Sequence, residues 1–147
     1  CFWRFVNEFM GEILGDHRTL RELALENLQT ANLAFENGLY NTAIENCHYA
    51  LEKIMKSAIY KEGGTPPKSG HSGHDLVKIA NTRIHGRKFL YNEIKSHSVM
   101  LRYWTEARSF WQAYQRYEKL DMDPLDVGEI LTACERLVGW IDKNLVD

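Results

Sequence analysis

The chain has 147 residues, a formal net charge of −2, 44% hydrophobic and 26% charged residues. That length fits one domain and supports a full core without staples. Four Trp, seven Tyr and six Phe exclude disorder as the main state, and the near-neutral charge excludes a strongly basic nucleic-acid footprint over the whole chain, though not a local patch.

In chain order, Phe2, Phe5, Val6, Phe9 and Ile13 make a short amphipathic segment ending near Gly15. It lacks the charged flank and small-residue cleavage site of a secretory signal. Asp16 is placed to cap a helix running to about Asn37, with Leu20, Leu23, Leu28, Ala31 and Phe35 as its stripe and Gly38 as its stop. Asn41 is read as the cap of a third helix, which carries Ala43, Ile44, Cys47, Leu51, Ile54, Met55 and Ala58 to Gly63-Gly64. A Gly/Pro-rich loop over 63–73 follows, then a short helix over 74–82. After the break at Gly86 the spacing predicts one long helix from about Phe89 towards Tyr117. Asp123-Pro124 supplies a cap and an N1 proline for the last helix, whose seam runs Val127, Ile130, Leu131, Cys134, Leu137, Val138, Ile141, Leu145. Period-two alternation is absent over any useful length. The expectation is an all-α fold: an antiparallel four-helix bundle over 16–147 with an additional short helix, preceded by an amphipathic extension over 1–15. The cysteines, Cys1, Cys47 and Cys134, give no disulfide framework and point to a reducing compartment, read as cytoplasmic. No run of 18 apolar residues spans a membrane.

Several short patterns invite chemistry. Glu45-x-x-His48 is half of a di-iron signature, but no second copy occurs. His71-x-x-His74 lacks companion cysteines. Lys68-Ser-Gly-His-Ser-Gly lacks the spacing of a phosphate loop. Asp121-Met-Asp123 reads as a cap. The expectation is therefore no metal and no cofactor. The charged positions of interest are Arg102 with Glu106 four residues on, Arg108, Lys53, and the basic cluster Arg83, Arg87, Lys88 beside His85.

Gly38-Leu-Tyr, Cys47-His-Tyr-Ala-Leu-Glu-Lys53, the loop with Pro66-Pro67, His74-Asp-Leu-Val-Lys78 and Tyr103-Trp-Thr-Glu-Ala-Arg108 together resemble the HEPN domain family over roughly 18–146. After Arg108 this chain has Ser-Phe-Trp where the family reads Tyr-Pro-Asp, so a role resting on that Asp does not carry over. The resemblance implies a module that binds a nucleotide, RNA or a partner protein and, as in stand-alone members, pairs with a small nucleotidyltransferase in a toxin–antitoxin-like system; the 17 aromatic residues and the apolar segment Phe2 to Ile13 add the expectation of a homodimer. Lys53 and Arg108 match family positions; with Arg102 they are the expected ligand-binding residues, and Arg83, Arg87 and Lys88 are the second basic patch. Ribonuclease members carry an Arg, four to six residues, then a His. None of the six histidines here has an Arg at that spacing, so the reading is non-catalytic. Two alternatives stand beside it. One is a helical-repeat adaptor, although the Gly38-Leu-Tyr40 pattern does not recur 34 residues on. The other is a HEPN ribonuclease with a non-standard site.

Overall fold

The structure, a computed structural model, describes Val6 and residues 15–67, 74–117 and 123–147. The described chain holds helices α1 (His17–Glu36), α2 (Tyr40–Lys61), α3 (Leu76–Ala80), α4 (Phe89–Lys95), α5 (Ser98–Tyr117) and α6 (Pro124–Ile141), a closing π-helical turn (Asp142–Val146), and strands β1 (Arg83–Ile84) and β2 (Arg87–Lys88). The all-α class holds. The expected N-terminal segment lies outside the described residues apart from Val6, as do 68–73 and 118–122.

Local chemistry sets the boundaries. Asp16 caps α1 by accepting from the backbone N–H groups of Arg18 and Thr19. Asp16→Ala is therefore expected to cost about 1 kcal/mol in denaturant titration; an unchanged midpoint would remove the cap from the argument. Gly38, at φ +74°, ends α1: its N–H donates to Phe35 O at 3.1 Å and the Leu39 N–H donates to Ala34 O at 2.8 Å, the paired closure that needs a left-handed residue. Asn41 is not the cap of α2. That position falls to Leu39, which makes no side-chain cap bond, and Asn41 Oδ1 instead lies 3.2 Å from the Tyr114 hydroxyl oxygen.

The long helix expected over 89–117 is broken. α4 stops at Lys95 and α5 starts at Ser98. Ser96 Oγ donates to Glu93 O at 2.7 Å and the Met100 N–H donates to His97 Nδ1 at 3.3 Å. Short polar side chains here take over backbone bonds that a continuous helix would keep. A second departure is the two-residue hairpin, with Arg83 opposite Lys88 and Ile84 opposite Arg87. His85 and Gly86 form its turn, both at positive φ, as the tight turn matched to strand twist requires. Strands this short leave no alternation to read.

α2 is the central helix. It packs along α1 and against α6, α3, α4 and the closing turn, while α6 also rests on α5. Every residue from Ala50 to Ile59 is buried, so the helix has no solvated face through its middle. Three residues of that stretch, Glu52, Lys53 and Lys56, are charged.

Candidate functional site

Burying a charge is costly unless it is paired and hydrogen-bonded. On α2, His48, Glu52 and Lys56 follow at i, i+4 and i+8, one above another. Glu52 is 2% exposed. Its carboxylate lies 3.3 Å from His48 Nε2 and 3.4 Å from Lys56 Nζ. His74, which precedes α3, brings Nδ1 to 3.0 and 3.1 Å from the two carboxylate oxygens. One buried carboxylate thus holds three basic groups.

Burial pushes the Glu52 carboxyl up, but the bond from His48 and the charges of Lys56, His48 and His74 outweigh it and leave it below the usual range. Burial holds the His48 ring below its ordinary value despite Glu52 beside it. His48 Nε2 faces the Glu52 carboxylate and so carries a proton, and the His74 backbone beside the ring also favours its charged form. Nδ1 is buried without a hydrogen bond of acceptable geometry among the described residues. The His48 ring stacks on Trp111 of α5 with centroids 3.8 Å apart and planes at 12°. The Trp111 Nε1–H is likewise buried without a partner among the described residues.

Both groups are harder to protonate folded than unfolded, so acid destabilises the fold. Stability is complete above about pH 6.5, falls as pH drops through the His48 range, and falls further below about pH 4.5 as Glu52 begins to protonate. Thermal melts between pH 4 and 8 check this; a melting temperature that rises from pH 7 to pH 5.5 would contradict it.

Over this cluster opens a cleft of about 410 Å³, lined by His48, His74, Val77, Arg108, Trp111 and Gln112 among others. Asp75 also borders it, but its carboxylate is engaged in capping α3 through the N–H groups of Val77 and Lys78. Arg108, half-buried on α5, has no hydrogen-bond or ion-pair partner among the described residues. A guanidinium with its donors unspent among the described residues, beside the exposed His74 imidazole, is suited to an acceptor-rich anion.

The family model described as HEPN domain matches residues 17–144. The chain belongs to the HEPN domain family. No curated protein and no solved structure matches it. The cleft of this HEPN domain therefore has to be read from its own residues.

Of the expected ligand residues, the structure places Arg108 at the cleft. Lys53 is buried and does not line it, donating to Asn27 Oδ1 at 2.7 Å and standing 5.9 Å from the Tyr49 ring centroid. Arg102 is exposed, with its guanidinium 5.3 Å from the centroid of the Tyr103 ring. The second basic patch divides. Arg83 and Arg87 are exposed on the hairpin, with Arg83 donating to Gly86 O. Lys88 instead lines a neighbouring cavity together with Arg108. Glu45 does not pair with His48; it accepts from the Tyr114 hydroxyl at 3.2 Å. His71 and Asp121 lie outside the described residues.

Sequence reasoning missed Glu52. Its spacing, four residues after His48 and four before Lys56, is that of any solvated acid on a charged helix face; its burial is what the sequence does not show. Among the described residues no group of three or more His, Cys, Asp or Glu has a metal-holding arrangement, and no helix is long and apolar enough to cross a membrane.

Proposed function

We propose that this HEPN domain is a non-catalytic module that binds a nucleotide or RNA in the cleft between α2, α3 and α5. One observation carries the reading: the Arg108 guanidinium, without a hydrogen-bond or ion-pair partner among the described residues, lines a cleft walled by the rings of His48, His74 and Trp111. In this reading Arg108 holds phosphate oxygens, the rigid His48–Trp111 stack forms the wall for the ring system, and Glu52 fixes His74 at the rim. Lys53 and Arg102, away from the cleft, contribute at most charge at longer range.

The test is calorimetric titration with ATP and with a short RNA. Binding by the wild type, weakened in Arg108→Ala and not in Arg102→Ala, is expected. Equal binding by wild type and Arg108→Ala would overturn the assignment.

Helical spacing, cysteine usage and apolar composition support residues 16–147 as one bundle of four long helices and a cytoplasmic homodimer, and the family resemblance adds a small nucleotidyltransferase as partner in a toxin–antitoxin-like pair. Leu125, 72% exposed, borders an open groove with Phe35, Tyr103 and Pro124, which supports an apolar contact surface at the start of α6. Sedimentation at tens of micromolar is expected to show the dimer; monomer alone would contradict it.

A further inference from the structure

Arg108 borders two cavities, not one. On one side is the cleft of about 410 Å³ over His48 and Trp111. On the other is a cavity of about 300 Å³ containing Asn81, Lys88, Tyr91, Trp104 and Thr105 in its wall. Val77 and Arg108 line both, so α3 and α5 form a shared partition with a cation in it. The second cavity has no acidic side chain in its lining. Lys88, like Arg108, has no hydrogen-bond or ion-pair partner among the described residues. Its walls otherwise offer ring surface from the half-buried Tyr91 and an amide from Asn81; Trp104 forms its buried floor, and the Thr105 hydroxyl donates to Leu101 O at 2.9 Å, leaving only its lone pairs. Each cavity thus pairs ring surface with a few polar groups, and the Arg108 guanidinium, unspent among the described residues, lies between them.

We propose that the site takes a two-nucleoside ligand joined by a phosphodiester, with the bridging phosphate on Arg108, one base against Trp111 and the other in the cavity of Lys88 and Tyr91. This rests on the reading of the first cleft as a nucleotide site and extends it to a second. The chemistry fits at each position. A guanidinium engages two phosphate oxygens at once. Aromatic walls accept any base through its π face. Lys88 adds a cation for the flanking backbone without demanding a sequence. The shared chemistry belongs equally to a free dinucleotide and to a step within a single strand.

The experiment titrates the full chain with AMP, with the adenylyl-3′,5′-adenosine dinucleotide and with a six-residue oligoadenylate. AMP carries more charge than the dinucleotide, so tighter binding of the latter cannot come from charge alone. A second seated base is expected to tighten binding by roughly 5- to 150-fold. Lys88→Ala and Tyr91→Ala should remove most of that increment and leave AMP affinity unchanged. Arg108→Ala should weaken all three ligands. Circular dichroism of each variant confirms the fold, and Lys88→Ala, which removes no hydrogen bond among the described residues, keeps the test valid if Tyr91→Ala fails to fold. A hexamer no tighter than the dinucleotide points to a free dinucleotide, and a markedly tighter hexamer to a strand; both uphold two adjoining subsites. If AMP binds and the dinucleotide binds no tighter, the second subsite is overturned while the first stands. If the wild type binds none of the three, both readings fall.

Discussion

Replacing Glu52 by Ala is expected to destabilise the domain by about 3–5 kcal/mol at pH 7. The carboxylate is the shared partner of His48, Lys56 and His74. Removing one member of a buried ionic group leaves the others charged or polar in a low-dielectric interior, and that uncompensated burial dominates the cost. Domains of this kind are stable by about 5–15 kcal/mol, so the loss takes a large share of the total. Glu52→Gln keeps the shape and one acceptor oxygen and should cost less. Denaturant titration of both variants measures the difference. A loss below about 1 kcal/mol for Glu52→Ala would mean that the cluster is not held as described.

Arg108→Ala should have the opposite profile. The side chain is half-buried and has no hydrogen bond or ion pair among the described residues, so stability should move by no more than about 0.5 kcal/mol. Ligand affinity should fall by about 1–3 kcal/mol, or roughly 5- to 150-fold, because a charge-assisted contact is lost from a partly desolvated site. Arg108→Lys keeps the charge but loses the planar fork, and should recover only part of the affinity. Calorimetry and denaturant titration on the same preparations separate the two effects. An Arg108→Ala protein that binds ATP normally but melts early would assign Arg108 to the fold instead.

The helical class was legible because the strongest signals were local. Asp16, Gly38 and Asp123-Pro124 act within a few residues of themselves, and all three do in the structure what their positions indicate. The break between α4 and α5 was not legible, because the apolar spacing continues through Ser96 and His97 while their side chains divert the backbone bonds. The site was legible only in part. Arg108 could be found through a motif. Glu52 could not be distinguished from a solvated acid, since its burial depends on α2 being enclosed by α1, α6 and α3, a tertiary fact. His48 was read against Glu45, three residues away, whereas Tyr114 from α5 engages Glu45 and leaves His48 to Glu52. The cavity shared by Arg108 and Lys88 depends on the hairpin and the break before α5, neither of which periodicity shows.

The indole N–H resonances offer the most direct test of the cleft. Trp111 lines it, whereas Trp140 lies against His97 with ring centroids 5.8 Å apart. In a nitrogen-15-labelled sample titrated with ATP, the Trp111 Nε1–H, assigned by Trp111→Phe, is predicted to shift saturably while the Trp140 signal stays in place. A titration in which calorimetry records binding but the Trp111 signal does not move would place the ligand elsewhere and contradict the site.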